Sequence, residues 1–129
     1  MNNIKLHVEL DISVLNETKV KNILLDEMYK ILEKEVVKYK WTEPYDILNH
    51  YSDKKSAAVL LSLDEIIATW LGNANAEPCC KIGKFRRFDV YVDSAYQNYI
   101  IDIFDKLLPY LKKGTRLKME IIETVIKKK

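Results

Sequence analysis

The residues best suited to chemistry in this 129-residue chain are its two histidines and its two adjacent cysteines. His50 stands in Asn49-His50-Tyr51-Ser52-Asp53, where an imidazole beside a carboxylate could move a proton. Cys79 or Cys80 could act as a thiolate only with a base or cation such as Lys81 or His50 at hand. Each has a plainer reading. Histidines are common at helix ends, and two cysteines opening a strand behave as small apolar residues, one facing the core and one the surface. His7 lies on the outward face of a strand beside Lys5 and Glu9 and reads as a solvated sheet residue. No catalytic residue, metal ligand set or cofactor is therefore expected. H-E-x-x-H, C-x-x-C and G-x-S-x-G do not occur, and Gly72, Gly83 and Gly114 are too isolated to cradle a phosphate.

Charge is more informative than any single side chain. Over residues 42–77, Glu43, Asp46, Asp53, Asp64, Glu65 and Glu77 stand against Lys54 and Lys55, a net of −4. Lys81, Lys84, Arg86 and Arg87 then place +4 within seven residues, interleaved with Phe85. Either the two segments pair with each other or one offers a charged face that steers a partner. Trp41, Tyr45 and Tyr51 accompany the acidic segment, and aromatics beside charges are frequent binding hot spots. On the second reading Tyr45, Asp46, Tyr51, Asp53, Asp64, Glu65, Arg86 and Arg87 are the partner-binding residues.

Composition sets the frame for those residues. The chain is 48% hydrophobic and 31% charged, the balance of a globular domain, and its length suits one domain over residues 1–129. The net charge of +2 falls to −1 without Lys127, Lys128 and Lys129, which read as a mobile tail. That gives no general case for a nucleic-acid binder. Only the hairpin of Lys81, Lys84, Arg86 and Arg87 is locally basic. An RNA-binding sheet would need outward aromatics, and here Glu9, Asp11 and Asp89 accompany a single one, Tyr91. The apolar runs are too short to cross a bilayer. No leader pattern opens the sequence and two adjacent cysteines make no disulfide framework, so a cytoplasmic protein is expected. Richness in Lys, Ile, Asn and Tyr suggests an AT-rich microbial genome.

The elements that must position these groups follow from periodicity. Residues 94–114 read as an amphipathic helix with a Ser94–Gln97 capping box, a last turn tightened by Pro109 and a stop at Gly114. Ile4, Leu6, Val8, Leu10 and Ile12 alternate with polar residues, as do Phe88, Val90 and Val92, and Leu117, Met119 and Ile121; these are strands with one polar face. Val20, Leu24, Met28, Ile31, Val36 and Tyr39 mark a helix over residues 16–40. Thr42 caps a short helix, residues 57–61 read as a buried strand, and Ser62 with Glu65 forms a capping box for a helix ending near Gly72. Residues 73–78 form a loop, and residues 79–86 begin a hairpin turning near Gly83. The expected fold is α+β: a mainly antiparallel sheet of about four strands with helices on one face, ordered like a ferredoxin-like split βαβ fold with inserted helices.

A compact domain of this kind, with an acidic aromatic-bearing insertion and no catalytic signature, is expected to bind another protein. Its most concrete form is an immunity protein or antitoxin that occludes a basic toxin domain. The alternative is a small enzyme or ligand-binding domain with a cleft near His50 and the 73–78 loop. A nucleic-acid binder using the 81–87 hairpin ranks below both.

Overall fold

The computed structural model describes residues 2–34 and 40–125. Four strands, β1 (Asn2–Ile12), β2 (Cys80–Ile82), β3 (Phe85–Asp93) and β4 (Arg116–Val125), form one sheet in the order β2-β3-β1-β4. All neighbours are antiparallel. β1 is therefore central, paired along its length with β3 on one side and β4 on the other. Helix α4 (Gln97–Leu107) carries the chain from β3 to β4, which run parallel to each other on either side of β1. The α+β class and the antiparallel sheet are as the alternation requires.

Period two decides which residues meet. Leu6, Val8, Leu10 and Ile12 are buried with Phe88, Val90 and Val92, and the residues between them face the other way. Against this apolar face lie α1 (Glu17–Lys34), α3 (Leu63–Trp70) and α4. α1 contributes Val20, Leu24, Leu25 and Met28, while α4 contributes Ile100, Ile103 and Leu107. In α3 every residue from Ile66 to Trp70 is buried, so this short helix lies inside the helical layer. Each large apolar side chain so buried contributes about 1.5–3 kcal/mol. The expected end of α1, with Val36 and Tyr39, lies outside the described residues, as do Lys127, Lys128 and Lys129.

Several local expectations meet their cause here. The Ser62–Glu65 capping box is present in both directions at 3.1 Å. α3 ends in a Schellman arrangement: Asn73 N–H donates to the Ala68 carbonyl and Gly72 N–H to that of Thr69. Gly72 has φ 96°, and a Cβ there would lie 3.2 Å from the Tyr96 ring, so both backbone and packing call for glycine. Pro109 lies in a 3-10 turn, Leu108–Tyr110, that finishes α4.

Two readings need correction. The run over residues 57–61 is not a strand. Asp53 accepts a 2.7 Å hydrogen bond from Ser56 N–H, which starts a helix, α2 (Lys54–Leu60), ahead of the apolar run. Val59 and Leu60 are then 81% and 68% exposed. An apolar run by itself does not separate strand from helix; the cap does. At the start of α4, Asp93 takes the place of the expected Ser94–Gln97 box, accepting from Ala95 N–H and opening a 3-10 turn. Between α1 and α2 the chain forms 3-10 helix over Lys40–His50; its three-residue period keeps Tyr45 and Leu48 on one buried side. The side chains of residues 41–44, Trp41 and Thr42 among them, lie outside the described residues.

Candidate functional site on the open face of the sheet

The acidic segment is largely occupied with the protein's own structure. Tyr45 is fully buried; its hydroxyl donates 2.7 Å to the Trp70 carbonyl, and burial holds its ionisation well above the usual phenol range. Its ring meets Tyr96 edge-on at 5.4 Å. Tyr51 is half-buried against the core, and one carboxylate oxygen of Asp46 is buried. Asp53 and Glu65 serve as helix caps, and the Ser56 N–H holds the Asp53 carboxyl below its ordinary range. Asp64 accepts a 2.5 Å bond from Arg86 Nη1, tying the acidic segment to the basic hairpin. Arg87 leaves the hairpin cluster for a two-pronged pair with Asp11, at 2.7 and 3.1 Å. The eight residues expected to bind a partner are thus scattered. Asp64, Glu65 and Arg86 come together; Tyr45 lies in the core, and Arg87 lies on the far side of the sheet.

The residues considered for chemistry separate as well. His50 is exposed at the end of the 3-10 helix and does not line the 610 Å³ cleft formed by Asp64, Glu65, Lys81 and residues 74–78. Cys79 and Cys80 are both exposed and free, correcting the expectation that one would face the core. Local desolvation, the Cys80 thiol and the charge of Asp89 together raise the Cys79 thiol above its usual range, the opposite of what a nucleophile needs. Of the hairpin cations, Lys81, Lys84 and Arg86 line a second cleft of about 400 Å³, joined by Lys112 from the loop before β4.

What gathers instead is the outward face of the sheet. Register lays it out in rows across β3, β1 and β4: Asp93–Lys5–Ile122, Tyr91–His7–Glu120, Asp89–Glu9–Lys118 and Arg87–Asp11–Arg116. His7 and Tyr91 are a direct cross-strand pair, their rings stacked at 4.5 Å and 9°. His7 Nε2 lies 2.6 Å from Asp89 Oδ1 and 3.8 Å from Glu9 Oε1. Tyr91 remains 61% exposed. No described helix covers this face. Asp11 is held below the ordinary carboxylate range, first by its hydrogen bonds to Arg87 and further by the charges of Arg87 and Arg116, against an opposing desolvation. The triad of His7, Glu9 and Asp89 is the one described group whose donor atoms, all within 4.8 Å of one another, could share a metal ion.

Reading His7 as a solvated sheet residue missed this cluster. The signal available was the pair of i, i+2 spacings, His7–Glu9 and Asp89–Tyr91, each confined to one strand face; what was missing was the register that sets them opposite each other. Comparisons of the chain with family models, curated proteins and solved structures give no match.

Proposed function

We propose that the chain acts by binding a protein partner, and that it presents the open sheet face centred on Tyr91. The observation that carries this reading is Tyr91 itself: a largely exposed aromatic, fixed by its stack on His7 and ringed by charge. Its strand pairs with β1 over Arg86–Asp93, while β2 covers the other edge only over Phe85–Arg87. The β1 ladder and the stack on His7 hold the ring, so little order remains to be imposed on binding. An aromatic anchor inside a polar rim is the anatomy of an interface hot spot. The carboxylates of Glu9 and Asp89 beside the ring favour a partner that brings Lys or Arg to this surface. In its most concrete form the chain is an immunity protein or antitoxin of a bacterial cytoplasm, and the partner a basic toxin domain blocked by occlusion. Among the described residues no helix is long and apolar enough to cross a membrane.

The test is to tag the protein, co-express it with the products of neighbouring genes and measure affinity for any stoichiometric partner. Tyr91→Ala should weaken the complex by about 2 kcal/mol or more, a factor of roughly thirty. Joint reversal of Asp53 and Asp64 to Lys should change it far less. The opposite ranking would move the interface to the helical insertion. If no protein co-purifies and the 610 Å³ cleft takes up a small ligand, the binding-module reading is wrong.

A further inference from the structure

We propose that His7, Glu9 and Asp89 form a site for a divalent transition-metal ion on the open sheet face. The first observation is the donor set. One imidazole nitrogen and two carboxylates, on adjacent strands, have donor atoms within 4.8 Å of one another. Ligands about 2 Å from a common ion sit roughly 3 Å apart, between the 2.6 and 3.8 Å separations of His7 Nε2 from the two carboxylates. Small side-chain rotations would equalise them, and the exposed side of the cluster leaves positions for water. A mixed nitrogen and oxygen set suits Zn²⁺, Mn²⁺ or Co²⁺ better than Ca²⁺ or Mg²⁺, which prefer oxygen alone.

The second observation is independent of those distances. Wherever two ionic residues of Asp, Glu, Lys or Arg stand directly opposite on this face, they are opposite in sign: Lys5–Asp93, Asp11–Arg87, Glu9–Lys118 and Asp11–Arg116. Glu9–Asp89 is the exception. Like charges directly opposed across a sheet destabilise it. Among the described residues no Lys or Arg forms an ion pair with Glu9 or Asp89: Lys118 stands opposite Glu9 without closing one, and the ionic side chain within reach of both carboxylates is His7. Even a protonated imidazole brings one positive charge to two negative ones. A divalent cation would balance the pair. Tyr91, stacked on His7, would keep the ring in the plane the ion needs. The inference does not depend on a protein partner, although a bound ion would compete with a partner's Lys or Arg for the same carboxylates.

The experiment uses the full chain, stripped with a chelator and titrated with Co²⁺ and Zn²⁺ by absorption and calorimetry. One ion per chain should bind, with cobalt d–d bands lacking sulfur-to-metal charge transfer, and Zn²⁺ should raise the melting temperature. His7→Ala and Asp89→Asn should each lower affinity about tenfold or more. Glu9→Gln should abolish the Zn²⁺-induced rise while leaving the metal-free melting temperature unchanged or higher, since it removes a like-charge contact. That readout separates loss of a ligand from loss of folding. Replacing Cys79 and Cys80 by Ser should change nothing. Failure to bind either ion, binding indifferent to His7 and Glu9, or binding lost with the thiols would each overturn the assignment.

Discussion

The helical insertion and the open sheet face carry similar densities of charge and aromatic side chains, yet use them in opposite ways. In the insertion nearly every such group has an internal duty. Tyr45 fills the core, Asp53 and Glu65 cap helices, and Asp64 holds Arg86. Lys54 reaches Asp26 on α1 at 2.5 Å. On the sheet face the row of Arg87, Asp11 and Arg116 is similarly self-satisfied, but the rows beside it leave Tyr91 exposed and Glu9 opposed to Asp89. The difference follows from geometry. A helix that packs by one stripe must secure its ends with nearby polar groups. A strand already satisfied by its neighbours leaves every second side chain free. Charge that is abundant in sequence is available for binding only where the backbone does not claim it.

The sharpest way to break this contrast is to compare one aromatic from each region by urea denaturation. Trp70 is fully buried and stacks parallel to Phe104 at 6.4 Å, so Trp70→Ala should cost about 3–5 kcal/mol. Tyr91→Ala should cost about 0.5 kcal/mol or less while removing the proposed anchor. Equal losses would mean that Tyr91 is structural and the face is not a binding surface. A finer cut within the insertion is Tyr45→Phe, which removes only the hydroxyl from a buried hydrogen bond. It should cost about 1–2 kcal/mol and leave partner affinity untouched. Loss of binding without loss of stability would return Tyr45 to the interface.

Acid tests the self-satisfied row. Asp11 has its carboxyl held below the ordinary value of 3.8 by Arg87, so the folded chain binds fewer protons there than the unfolded chain. The resulting stability is complete above that ordinary value and is lost as pH falls through the lower, folded one. Melting temperatures between about pH 5 and pH 2 should therefore fall more steeply for the wild type than for Asp11→Asn, the two curves converging on acidification. Parallel curves would show that the Asp11–Arg87 pair contributes nothing to folding.

Much of the fold was legible because it rests on period and caps. Alternation from Leu6 to Ile12 needs only one strand to be read, and the Ser62–Glu65 box lies within four residues. The reading of residues 57–61 as a strand failed because its deciding contact, Asp53 to Ser56, precedes the apolar run. The site was less legible for a related reason. His7 and Asp89 are 82 residues apart, and a single strand shows which face a side chain takes but not what stands across from it. Register is a property of pairs of strands. The opposite error touched the acidic segment, whose charges were visible while the N–H groups and guanidinium that occupy them were not.

The smallest expected effect probes the link between the two charged segments. Asp64 and Arg86 keep 27% and 39% side-chain exposure, so solvent and salt screen their 2.5 Å pair heavily. A double-mutant cycle with Asp64→Asn and Arg86→Met should return a coupling of about 0.5 kcal/mol, shrinking as salt is raised. A coupling above about 2 kcal/mol would mean that the bridge clamps the hairpin to α3, making both clefts beside it rigid, preformed sites. A coupling of zero would have the reverse consequence: Asp64 and Arg86 would be free to face outward, and the insertion would regain its claim to the partner. The value between these limits is the one that leaves the insertion occupied and the sheet face open.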